Sequence, residues 1–278
     1  MTEPTIQPIG FHLRLSDDWR IAAVSANIGD YFGKPAAGLL GQPVAALLSD
    51  DEIHDIRNRM ALLRSVDAIE HLHHFPLARA DAAFDLAIFQ SGSGFAIDAE
   101  PSDKHGFGDA TGIVEGLLDR LDGARDVGTL CTGAARQLRA LLGFDRILIC
   151  GADGLLGQST RSGIADVEPP AASGFSVDLA LVDHGSMPVP ILDEGPETPA
   201  LRRSTLRSPT KVEASGLEAI GASAALVLPL GREGREWGHV GCYHATPRHV
   251  SAERRGVARL FARILSLKIE IAEGRRDS

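Results

Sequence analysis

The chain has 278 residues, 44% of them hydrophobic, enough to bury the cores of two domains of ordinary size. Its 28 Lys and Arg are outnumbered by 37 Asp and Glu, and the net charge of −9 excludes a general nucleic-acid binder, which needs a basic face to neutralise phosphates. The N-terminus MTEPTIQPIG has neither the basic nor the apolar region of a signal peptide, and charges or glycines interrupt every hydrophobic run before it reaches membrane-spanning length. The expectation is a cytoplasmic protein without a membrane partner.

In chain order, Phe11, Leu13 and Leu15 alternate with His12 and Arg14, the period of a half-buried strand, and Asp17-Asp18 turns the chain into a second strand over Trp19–Val24. Short helices are predicted around Asn27–Phe32 and Ser49–Leu63, the latter opening on Ser49, Asp50, Asp51 and Glu52, residues suited to a helix N-terminus. Three further strands are expected at Ile69–Pro76, Ala83–Gln90 and Gly94–Ala99. Two strands, short helices and three strands make the order of a PAS domain over 1–100, followed by an aperiodic Pro-, Ser- and Gly-containing linker at 101–108.

From 109 to 278 a second domain is expected. Ile113, Leu117 and Leu121 recur at helical spacing, and a longer helix starts from the cap Asp126, carries Val127, Leu130, Cys131, Ala134, Leu138, Leu141 and Leu142 on one face, and stops at Gly143. Strands are predicted at Arg146–Cys150, Ala224–Leu230 and Trp237–His244, and a closing helix from Ser251 carries Val257, Leu260, Phe261, Ile264, Leu267 and Ile271 as an apolar stripe. Helices on an antiparallel sheet give a fold of the GAF type, so the whole chain reads as α+β, a PAS domain followed by a GAF domain. Residues 151–200 are proline-rich and aperiodic, and read as a ligand-covering loop. The basic residues of the last segment, Arg254 to Arg276, read as a solvated helix face.

Few constellations suggest chemistry. Cys131, Cys150 and Cys242 are widely spaced and form no zinc motif, which fits a reducing compartment. His71 and His73 share a strand face, but no carboxylate or cysteine stands at ligand spacing, so an exposed strand is the better reading. The glycines at 38–41 and 151–157 lack the lysine and the strand-to-helix context of a phosphate loop. Cys242 and His244 point the same way along a strand, but nothing supports them as a nucleophile and base. No catalytic site is read, and the protein is not expected to be an enzyme.

The segments Ile6-Gln7-Pro8-Ile9-Gly10, Val24-Ser25-Ala26-Asn27 and Phe84-Asp85-Leu86-Ala87 resemble the PAS domain of bacterial phytochromes. Phe144-Asp145-Arg146, Leu206–Gly221, Trp237–Arg248 and Leu265-Ser266-Leu267 resemble their GAF domain. The resemblance implies a photoreceptor for sensory transduction, with a bilin held covalently by a cysteine just upstream of the Ile6 segment. None of Met1–Thr5 is a cysteine, so that attachment is not expected. A histidine that the resemblance implies under the pyrrole rings is replaced by Glu213, and serines that hold a propionate fall at Ala225 and Val227. Expected tyrosines fall at Cys150 and Gly216, and the nearest remnant of a Pro-Ala-Ser-Asp-Ile-Pro wall is Phe175-Ser-Val-Asp178.

Two pocket residues match the family. Arg207 matches a propionate-pairing arginine and reads equally as a surface or domain-bridging arginine. His244 matches a histidine near the outer ring and reads equally as a satisfied core histidine. The leading expectation is therefore a phytochrome-like module with a degenerate bilin site and no cofactor, acting as a homodimer or on a signalling partner through the closing helix, as the resemblance implies for GAF helices. The alternative is a receptor holding biliverdin or haem non-covalently, with Arg207 as propionate anchor and His244 or Cys242 nearby. A family knot, in which the N-terminal segment threads a GAF loop, is left open because both segment and loop look short.

Overall fold

The computed structural model describes residues 4–65, 68–103, 108–162, 179–193, 201–232 and 235–274. The remnant Phe175–Asp178, and Arg275 with Arg276, lie outside them. The chain forms two compact units, Met1–Gly106 with Ser186–Ser208, and Phe107–Gly185 with Pro209–Ser278. Among the described residues no helix is long and apolar enough to cross a membrane.

The first unit contains strands β1 (Thr5–Ile6), β2 (Phe11–Leu15), β3 (Ile21–Ser25), β4 (Ile69–Leu77), β5 (Ala82–Ser91) and β6 (Gly94–Pro101), with helices α1 (Ile28–Phe32) and α2 (Asp50–Met60). The hairpin and the three later strands form where alternation predicts them. Ser49 caps α2 in a reciprocal box with Glu52, closing the orphan N–H groups of its first turn. Alternate residues Phe11, Leu13 and Leu15 enter a core with Phe84, Phe95 and Ile97.

Two strands of this seven-stranded antiparallel sheet were not anticipated. In the order β1-β10-β3-β2-β6-β5-β4, β10 (Val189–Asp193) comes from the segment read as a covering loop. It pairs Ile191 with Ser25 on β3 and Val189 with Ile6 on β1. On its other side Ile6 bridges Arg207, while Gln7 N–H donates to Leu206 O at 2.7 Å and Ser208 N–H to Thr5 O at 3.1 Å. The N-terminal segment is thus held between the two arms of a single excursion, Ser186–Ser208. Ile6, Ala23, Ile191 and Leu206 form its buried apolar seam. Two polar contacts fasten the seam. Arg14 meets Asp193 at 2.9 Å, and Asp98, itself 2.7 Å from His12, accepts the Thr205 N–H at 2.7 Å.

In the second unit, helices α3 (Ala110–Asp119), α4 (Val127–Leu142), α5 (Lys211–Ala219) and α6 (Ala252–Gly274) accompany a five-stranded antiparallel sheet. Its order is β8-β7-β12-β11-β9, with β7 at Arg146–Gly151, β8 at Gly154–Thr160, β9 at Ala180–Leu181, β11 at Ala224–Arg232 and β12 at Arg235–His244. Asp126 caps α4 and Gly143, at φ 66°, ends it in the left-handed conformation that suits glycine. The reading of 151–200 as one covering loop is corrected, because β8, β9 and β10 all lie within it. Residues 163–178 and 194–200 of that stretch are outside the described residues.

Candidate functional site

The β11–β12 hairpin divides its side chains by strand alternation. Ala224, Leu226, Leu228 and Leu230 join Val240 and Cys242 in the core with α4 and α6. Ala225 and Val227 face the other way, with Leu148, Cys150, Leu181, Leu217 and Tyr243. This second face is the one on which the resemblance places the chromophore, since Ala225 and Val227 stand where propionate-holding serines are implied.

The candidate groups on and around the hairpin are mostly committed to the fold. Glu213, 1% exposed, belongs to the capping box of α5: its carboxylate accepts the Thr210 N–H at 2.8 Å, and the Thr210 hydroxyl accepts the Glu213 N–H at 3.2 Å. The buried carboxylate thus finds its hydrogen-bond donor at its own helix terminus. Cys150 and Cys242 are buried, and burial pushes both thiols up. Cys131 on α4 is pushed up to about 12, by burial first and by the Glu273 charge second.

Tyr243 is the residue that sequence reasoning missed. It pairs with Ala225 on one side and Arg146 on the other, and its side chain lies back along its own strand. A Cβ added to Gly241 would stand 2.6 Å from the Tyr243 hydroxyl and 2.8 Å from Cε2. Burial holds its phenol far above the ordinary range, the neighbouring Cys242 and Cys150 adding and Arg146 opposing. The signal was available in the hairpin register, which sets position 243 opposite Ala225.

His244 alternates to the opposite side. Its ring packs edge-on against Phe144 at 6.0 Å, and Nδ1 lies 2.8 Å from Asp145 Oδ2, within ion-pair distance but off the line of a hydrogen bond. Asp145 also accepts from Arg161 Nη1 and from the Ala245 N–H, each at 3.1 Å. Burial lowers the His244 pKa, the Arg248 and Arg161 charges acting the same way and Asp145 opposing. Arg207 is half-buried and belongs to the first unit, where its carbonyl accepts from Gln7 Nε2 at 3.1 Å and its Nη1 donates to Ser208 O at 3.4 Å. The two expected pocket residues therefore fall in different units.

On β4 the His71 and His73 rings stack 5.9 Å apart, and His73 Nδ1 lies 3.5 Å from Asp85. Among the described residues no three His, Cys, Asp or Glu side chains are grouped to hold a metal ion.

Comparison with known proteins agrees with this architecture. A family model described as PAS fold matches residues 2–102, and one described as GAF domain matches 126–269, more than half of the chain. The chain is 23% identical to cyanobacterial phytochrome B of Nostoc sp. and 24% identical to a phytochrome-like protein of Synechocystis sp., in both cases over 98% of this chain and 40% of the relative. It thus spans about two fifths of the length of these relatives. Among solved structures, the chromophore-binding domain of an unusual bacteriophytochrome from R. palustris superposes with a TM-score of 0.81 at 27% identity, covering 98% of this chain and 96% of that one. The photosensory core module of a Stigmatella aurantiaca phytochrome shares the fold at 22% identity, with a TM-score of 0.82 over 98% of this chain and 59% of that one. The chain belongs to the GAF-domain family and carries, in order, the PAS and GAF domains of a bacterial phytochrome photosensory module.

Proposed function

We propose that this chain is a sensory or regulatory module of the phytochrome type that works by association through α6, with a second copy or a signalling partner, and that it holds no covalently bound bilin. It performs no catalysis of its own. The observation that carries this reading is a second apolar stripe on α6. Val257, Ala258, Phe261, Ala262, Leu265 and Ile269 are buried, whereas Leu260, Leu267 and Ile271 are 48%, 58% and 56% exposed. With the partly buried Ile264 between them, these positions step by four, three and four residues, the spacing of a coiled-coil seam.

The cysteine chemistry supports the absence of a covalent bilin. A thioether forms from a thiolate, and all three cysteines of the sequence are buried with their thiols pushed up. The second sheet face also fits a bilin poorly. Ala225 and Val227 offer no donor to a propionate, Glu213 caps α5, and Tyr243 lies over Gly241.

A second reading, a non-covalent receptor for biliverdin or haem, draws on the likeness to a chromophore-binding domain. Arg207 would then be the propionate anchor. The Asp145 contact of His244 supports a structural role for that histidine.

Sedimentation tests the first reading. The double substitution Leu260→Glu, Leu267→Glu is expected to lower the sedimenting mass or remove a co-purifying partner, with the circular dichroism unchanged. An unchanged mass and partner list would reject it. A saturable absorption shift on adding biliverdin to the wild-type protein would favour the second reading.

A further inference from the structure

The residues on the second sheet face of the second unit do not merely lack the groups that hold a bilin. One of them occupies the floor. Gly241 sits in mid-sheet, with Val227 and Leu148 as its cross-strand neighbours, both 1% exposed. Strand alternation aims position 241 at the same face as Ala225, Val227 and Tyr243. Having no side chain, it leaves a hollow the width of one residue between Val227 and Leu148. The Tyr243 ring lies in that hollow: its hydroxyl, Cζ and Cε2 are 2.6, 2.9 and 2.8 Å from where a Cβ at 241 would stand, closer than any side chain there would allow.

Tyr243 and Gly241 thus make a matched pair, a ring folded down and a residue cut away to receive it. The ring is only 4% exposed and packs in one cluster with Leu148, Cys150, Ala225 and Val227. A phenol ring is about the size of one pyrrole ring, so a planar ligand laid on this face would have to put one of its rings where Tyr243 already is.

We propose that Tyr243 is the specificity-determining residue of this face: its ring, seated over Gly241, takes the place of one ring of a tetrapyrrole and shuts that ligand class out. The proposal deepens the reading of a module without bilin and is read by ligand binding, whereas association through α6 is read by mass, so either can fail while the other stands.

The geometry makes two independent variants informative. Tyr243→Ala removes the ring and opens an apolar hollow. Gly241→Ala keeps the tyrosine but places a Cβ inside its contact distance, so the ring must swing out. Tyr243→Phe keeps the ring and loses only the hydroxyl, so it separates occlusion from hydrogen bonding.

The experiment is an absorption titration of the full chain with biliverdin, alongside circular dichroism to confirm folding. Wild type and Tyr243→Phe are expected to bind weakly or not at all. Tyr243→Ala and Gly241→Ala are expected to show a saturable band shift with affinity at least about tenfold higher. An equal biliverdin response in wild type and a folded opening variant, whether both bind or neither does, overturns the proposal. So does a Tyr243→Phe protein that binds as tightly as Tyr243→Ala. Should Tyr243→Ala fail to fold, Gly241→Ala carries the same comparison without deleting core volume.

Discussion

Asp85 on β5 is a buried carboxylate with three donors around it: the His74 N–H at 3.0 Å, the Ser102 hydroxyl at 2.8 Å and His73 Nδ1 at 3.5 Å. Burial alone would raise its pKa, but the His73 contact, the His74 N–H and Ser102 outweigh it and hold the group at about 2, against an ordinary 3.8. A folded-state pKa below the unfolded one means stability that is present above about pH 4 and lost as pH falls through about 2. The shift corresponds to about 2 kcal/mol. Urea denaturation of wild type and Asp85→Asn is expected to differ by about that much at pH 6 and to converge near pH 2. A gap that persists at pH 2 would mean that the carboxylate charge is not the cause. None of this was legible in the sequence, where Asp85 is one polar residue in a hydrophobic run and its donors come from sequence positions 11, 12 and 17 residues away. Tyr243 and His244 teach the complementary lesson. Motif matching selected His244 by its residue type, whereas the pairing of Tyr243 with Ala225 decides which of the two neighbours faces the second side.

At the scale of the element, the strands and helices that were legible are those whose periodicity is uninterrupted. Helix α2 announces itself through Ser49 and Glu52, and α4 through Asp126, its apolar face and Gly143. Strand β8, by contrast, reads GLLGQST, with no clean alternation. The reason lies in packing: Gly157 lies so close to α4 that an added Cβ would stand 2.5 Å from Thr132 N and 2.6 Å from the Cys131 carbonyl carbon. Gly157→Ala therefore forces β8 away from α4, and is expected to destabilise the protein by about 1–3 kcal/mol, measured as a lowered urea midpoint. Helix α6 shows a different limit. Its apolar residues read as one stripe in the sequence but divide into a buried set and an exposed set around the helix, a division that only the placement of the sheet decides. Helix α5 rests on the Thr210–Glu213 box, and Thr210→Ala is expected to cost about 1 kcal/mol.

At the scale of the whole molecule, the linear division into 1–100, a linker and 109–278 did not anticipate that Ser186–Ser208 clusters with the first unit. Nothing local could have said so, because β1 is two residues long and β10 contains Pro190; such short strands are fixed by what they pair with. The consequence is testable by cutting the chain. Cleavage at a protease site inserted between 101 and 108 is expected to leave two pieces that co-elute in size-exclusion chromatography, because β10 and Leu206 remain paired with β3, β1 and Ile6. Separate elution without denaturant would refute this. A fragment ending at 103 would expose the edge of β3 and the apolar seam around Ile6 and Ala23, and should be poorly soluble.

The same excursion imposes a timetable on synthesis. The edge of β3 leaves the ribosome near residue 25, but its partner Ile191 follows only about 170 residues later, which at 5–20 residues per second is a wait of roughly 10–30 s. During that interval Ala23 and Ser25 present unpaired backbone groups, and Ile6 has no seam to enter. The nascent chain must therefore hold an open strand edge while most of its second unit is still being made, and a chaperone that shields extended apolar segments would raise the yield of folded protein.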